Sequence, residues 1–146
     1  MKRRDLIKLA ALASTARAAG PPRFFTPEEH AAVDELTELI IPADEKSGGA
    51  KAARVADFID AKLAEAFEES ERQQWRKGLA EFLPATSEQR LTILTRMSEK
   101  DDPFFRDLKS ATVFAYYTSK IGIHDDMGYL GNTYQQGEYA GELPHE

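Results

Sequence analysis

Apolar residues recur at intervals of three and four from about residue 26 to residue 121, the spacing of amphipathic helices. Thr26-Pro27-Glu28-Glu29 is a strong helix start. Threonine caps, proline fills the first turn where its missing N–H costs nothing, and Glu29 closes a capping box. Val33, Leu36 and Ile40 follow on one stripe, Leu39 and Ile41 widen it, and Pro42 ends it. Phe24-Phe25, just ahead, is placed to staple onto the first turn. Lys46-Ser47-Gly48-Gly49 reads as a loop. A second helix is expected from about Ala52 to Glu68, with Val55, Phe58, Ile59, Leu63 and Phe67 inward. Ser70 caps a third that carries Trp75, Leu79 and Phe82 and stops at Pro84. Thr86 or Ser87 opens a fourth, with Leu91, Leu94 and Met97 inward. Asp101-Asp102-Pro103 opens the longest, with Phe104, Leu108, Val113, Tyr117 and Ile121. No alternating run is long enough for a strand. The pattern predicts an all-α fold, a small bundle of about five helices joined by short connections.

Periodicity stops at Gly122. From there to Glu146 glycines alternate with Tyr129, Leu130, Tyr134 and Tyr139, a pattern richer in tyrosine than disordered tails usually are. Glycines that let the backbone turn, with aromatic anchors between them, suit a segment lying extended over a surface. That surface is either the chain's own bundle or a partner. The helical domain is therefore expected over residues 19–121 and an extended segment over 122–146.

The amino end has a different character. Arg3-Arg4-Asp5-Leu6-Ile7-Lys8 is followed by a weakly apolar run from Leu9 and by small residues at Ala16-Arg17-Ala18. A basic start, a brief apolar segment and an A-x-A site make an export signal, and paired arginines mark the twin-arginine variety, which moves proteins already folded. Arg3, Arg4, Leu6 and Lys8 carry the signal, and Ala16 and Ala18 mark cleavage after residue 18. About eight apolar residues give a helix of only about 12 Å, too short to span a bilayer.

Removing residues 1–18 takes five of the 19 basic residues and one of the 25 acidic ones, which moves the net charge from −6 to −10. Such a surface repels phosphate backbones, so nucleic-acid binding is not expected. The absence of cysteine excludes disulfides, a covalently attached c-type haem and a cysteine-ligated iron–sulfur cluster within this chain. The mature length suits one domain.

No residue pattern points to catalysis. His124-Asp125-Asp126 is a metal candidate, with His145 or Glu146 as distant additions, but no second histidine follows at i+3 or i+4 and a polar turn explains it as well. His30, beside Glu28 and Glu29, reads as solvated surface. Glu68-Glu69 and Asp101-Asp102 sit at helix boundaries, where capping accounts for them. Ser70, Ser87 and Ser110 fit no nucleophile motif. Phe114, Tyr116 and Tyr117 occupy more than one helix face, so part of this cluster is expected to face outward, as an apolar patch for another protein.

Taken in order, Phe25-Thr26-Pro27-Glu28-Glu29, Leu36 to Pro42, Ala43-Asp44, Val55 to Asp60, Phe114 to Ser119 and Gly128-Tyr129-Leu130-Gly131 resemble the gluconate 2-dehydrogenase subunit 3 family. The resemblance covers roughly residues 24 to 131. It implies the small, non-catalytic subunit of a membrane-associated sugar or sugar-acid dehydrogenase. In such complexes a large flavoprotein binds FAD and oxidises the substrate, and a multihaem cytochrome c accepts the electrons. The small subunit assists the flavoprotein and carries it through the export machinery to the periplasm. The family pattern assigns no catalytic, cofactor or metal residues to this subunit. Partner binding is therefore expected at Phe114, Tyr116, Tyr117, Tyr129, Leu130, Tyr134 and Tyr139. The competing expectation is a free-standing exported helical module with no redox partner.

Overall fold

The structure, a computed structural model, describes residues 20–131. Within them the chain is helical and contains no strand: α1 Pro27–Ile40, α2 Gly49–Ala52, α3 Val55–Glu65, α4 Glu69–Leu79, α5 Ser87–Glu99, α6 Pro103–Tyr117 and a terminal π-helical turn, Ile121–Asp126. Five of the α-helices are longer than two turns, as the periodicity predicts. The leader residues and everything from Asn132 onward, Tyr134 and Tyr139 included, lie outside the described residues.

Local chemistry sets the helix starts. Thr26 Oγ1 accepts the Glu29 N–H, and Glu29 returns a carboxylate to the Thr26 N–H, completing the box. Thr86, rather than Ser87, makes the same reciprocal pair with Gln89. Asp102 caps α6 through the Phe104 N–H, with Pro103 in the first turn. Each cap is worth about 1 kcal/mol.

Three expected boundaries are corrected. The second helix is two: Gly49 starts the short α2 at φ 74°, and Arg54, left-handed at φ 56°, breaks the chain before α3. Ser70 does not cap α4, which starts a residue earlier behind Glu68. There Arg72 intervenes, its guanidinium donating to the carbonyls of Leu63, Ala64 and Ala66 and so closing the C-terminal end of α3. Helical structure also continues past Ile121 through Asp126, so the segment from Gly122 opens with a turn rather than an extended run.

Helices α1 and α6 are the axis of the bundle, and each packs against all the other α-helices. Val33, Leu36, Val55, Ile59, Leu63, Leu79, Phe82 and Leu108 are fully or almost fully buried between them. Each such side chain contributes about 1.5–3 kcal/mol by leaving water. An aromatic row crosses this core, with ring centroids 6.2 Å apart from Phe25 to Trp75, 5.5 Å from Trp75 to Phe104 and 6.2 Å from Phe104 to Phe82. Phe25, just ahead of α1, is buried in that row, with Phe24 packed beside it. Gly78 makes the row possible, since a Cβ at this position would overlap the Phe104 ring.

Several residues assigned inward by spacing lie outside. Phe67 is fully exposed in the α3–α4 connection, Leu91 is half exposed, and Phe58, Val113 and Tyr117 are each about 40% exposed. In α3 the arc through Val55, Ala56, Ile59, Asp60 and Leu63 already fills the contact, and Phe58 lies about 100° round the helix from Ile59.

Candidate functional site

The described surface carries a set of exposed apolar side chains on α3, α6 and the turn that follows α6. It begins on α3 and α6, where Phe58 and Phe114 pair at 5.9 Å between centroids. Val113 and Tyr117 continue it along the outer face of α6. The N-terminal half of that same face carries Arg106, Asp107, Lys109 and Ser110, so the apolar stretch belongs to the last turns alone.

The π-helical turn then carries the surface onward. Tyr117 hydrogen-bonds Asp126, and this bond, with a smaller effect of burial, raises the phenol above its ordinary value. Gly122 sits directly on the Tyr116 carbonyl, where any Cβ would overlap it. The Gly122 N–H donates to Ser119 Oγ, whose hydroxyl in turn donates to the Tyr116 carbonyl at 2.5 Å. A π-turn leaves an irregular backbone, and here its groups are taken up: Met127 N–H goes to Gly122 O at 3.1 Å and Tyr129 N–H to Ile123 O at 3.0 Å. His124 Nδ1 lies 2.7 Å from the Tyr129 carbonyl. This knot of bonds holds the chain while its side chains face water: Met127 is 56% exposed, Tyr129 47% and Leu130 90%. Ordered backbone under unburied apolar side chains is the arrangement of a docking surface rather than of a core.

Of the expected partner-binding residues, Phe114, Tyr117, Tyr129 and Leu130 are exposed here, and Tyr134 and Tyr139 lie outside the described residues. Tyr116 is corrected. It is among the largest fully buried side chains, its hydroxyl bonded to Ser47 Oγ and its ring edge-on to Tyr117 at 5.0 Å. On α6 it turns with Leu108, Thr112 and Ala115 toward the core, which adjacent residues on one helix cannot share with Tyr117. Spacing missed Phe58 and Met127 as surface residues. A narrower inward arc on α3 is the sign that would have found Phe58.

The polar clusters have structural partners. His30, expected in open solvent, is half-buried with Nε2 2.9 Å from Asp57 Oδ1, and Arg54 holds the other carboxylate oxygen of Asp57 at 2.8 Å. Near them burial raises the Asp34 carboxyl above its ordinary value, against the pull of Lys51 and His30. Glu35 is lowered, first by the Ser87 hydroxyl and then by Arg90 at 2.5 Å, burial opposing both. His124-Asp125-Asp126 does not converge: among the described residues no three His, Asp or Glu side chains come together as metal ligands. No described helix is long and apolar enough to cross a membrane.

No curated protein and no solved structure matches the sequence. The family model for gluconate 2-dehydrogenase subunit 3 matches residues 27–135, from the first turn of α1 through the π-turn and beyond Leu130. That span is most of the 146-residue chain, and the protein therefore belongs to the gluconate 2-dehydrogenase subunit 3 family, related to a subunit of the gluconate 2-dehydrogenase complex.

Proposed function

We propose that this chain is the non-catalytic small subunit of a periplasmic, FAD-dependent gluconate or sugar-acid dehydrogenase. It grips the flavoprotein and carries it, folded, through the twin-arginine export machinery. The family membership carries this reading. FAD sits in the large subunit and haem c in a multihaem cytochrome partner that takes the electrons. A flavoprotein acquires its cofactor in the cytoplasm, so it needs a route for folded proteins. Arg3-Arg4-x-Leu-Ile-Lys on a small, cysteine-free body fits a carrier that lends its signal to a larger partner. The partner contacts the Phe58–Phe114–Tyr117 ridge and the Met127–Leu130 turn, where apolar side chains wait on a fixed backbone.

Affinity capture from cells that co-express the large subunit tests this directly. The wild-type chain recovers a flavin-containing protein. A Phe114→Ser, Leu130→Ser double variant loses at least about tenfold of that recovery, since truncated interface anchors typically cost 1–2 kcal/mol or more. Arg3→Lys with Arg4→Lys leaves both proteins in the cytoplasm. Recovery of the wild-type chain alone, under gentle conditions, removes the reading.

A further inference from the structure

The function above leaves Asp60 unused, although it is the most heavily engaged carboxylate among the described residues. It stands midway along α3, only 5% exposed. Oδ2 accepts the Arg23 N–H at 2.7 Å, and Oδ1 accepts the N–H groups of Phe24 at 2.9 Å and Phe25 at 2.8 Å. All three donors are consecutive backbone groups of the lead-in before α1, some 35 positions away in sequence. Neighbouring contacts reinforce the grip. The Arg23 guanidinium pairs with Glu65 at 3.0 Å, and Arg76 donates to the Phe24 carbonyl at 3.2 Å while its guanidinium covers the Phe24 ring.

A carboxylate buried in a helix face costs free energy that an apolar residue would not, so packing of α3 alone does not call for it. Its oxygens read backbone rather than side chains, which fixes where the chain lies. The arrangement exists only once α3 has formed and docked beside α1, because the donors and the acceptor come from different elements. Outward from Arg23 only Ala19-Gly20-Pro21-Pro22 separate the clasp from the cleavage position after Ala18, a reach of about 13 Å, with two prolines to stiffen it.

We infer that Asp60 positions the export leader: it fastens the chain at Arg23–Phe25, so the leader departs from a fixed point on a folded bundle and from a loose one otherwise. This rests on the export reading given above. Asp60 is a positioning residue, acting through the lead-in backbone and touching no partner.

Amide hydrogen exchange and export of the full-length chain test it together. In Asp60→Asn, protection of the Arg23, Phe24 and Phe25 amides falls at least about tenfold, while amides in the middle of α1 and α6 keep theirs. The processed periplasmic fraction falls several-fold at an equal amount of protease-resistant protein in the cell. Should Asp60→Asn fail to fold, Arg23→Pro decides, since it deletes one donor and leaves Asp60 in place; Glu65→Gln controls for the lost ion pair. Unchanged protection of Arg23–Phe25 in folded Asp60→Asn, or of Phe24 and Phe25 in Arg23→Pro, which has no amide hydrogen at position 23, overturns the clasp. Lost protection with undiminished export overturns the positioning role and leaves the export reading standing. Export that survives Arg3→Lys with Arg4→Lys removes that reading, and the proposal with it, whatever the amides show.

Discussion

The two ends of the described chain are held with similar care and to opposite effect. At the amino end, Arg23 to Phe25 give three N–H groups to one carboxylate and send Phe25 into the core against Trp75. At the other end, residues 121–130 are pinned by Gly122, Ser119, Asp126 and His124, yet Met127 and Leu130 stay largely exposed and Tyr129 about half so. Hydrogen bonding fixes position in both places, but the second end buries only its start, at Gly122 and partly at Ile121, and leaves its last apolar side chains largely exposed. Apolar side chains left largely exposed on an ordered backbone add little to the stability of the fold itself.

That contrast is broken most forcefully at Phe25. Phe25→Ala empties a site beside Trp75 and is expected to cost about 3–5 kcal/mol in urea unfolding. A loss below about 1 kcal/mol would place the lead-in outside the cooperative core. Next comes Gly122→Ala, in which the added methyl overlaps the Tyr116 carbonyl; about 1–3 kcal/mol is expected, with local loss of amide protection at Met127 and Tyr129.

Acid separates the ends by chemistry. Burial pushes the Asp60 carboxyl up, but the backbone N–H groups of Phe25, Arg23 and Phe24 outweigh it and leave it below its ordinary value. A carboxyl lowered on folding stabilises the fold above its unfolded pKa, and that contribution disappears as pH falls through the folded value. Glu35 acts in the same sense, Asp34 in the opposite one. Protection at Arg23–Phe25 is therefore full through the ordinary carboxylate range and fades only as pH falls below it, while the α6 core amides lag behind. The smallest effect belongs to Leu130→Ser, within about 0.5 kcal/mol of wild-type stability, with its consequence read in partner capture instead.

What could be read from sequence follows the range of each interaction. Thr26-Pro27-x-Glu29, Thr86 with Gln89, and Asp102-Pro103 are complete within four residues, and all three open helices as expected. The helical class follows from spacing for the same reason. Asp60, by contrast, looks like any polar residue on an amphipathic helix, because its donors lie far off in the chain. Arg72 gives no sign in sequence that it will close α3. Tyr116 and Tyr117 are chemically alike, and only the rotation of α6 decides which is core and which is surface. The break at Arg54 escaped for a different reason, since a non-glycine residue rarely takes the left-handed region.

Trp75 is the chain's single tryptophan, and it stands between Phe25 and Phe104 in the aromatic row. Its indole emission thus senses two unions at once, the seating of the lead-in and the closing of α4 onto α6. The protein carries its own optical gauge of maturation, legible in a cuvette without any label.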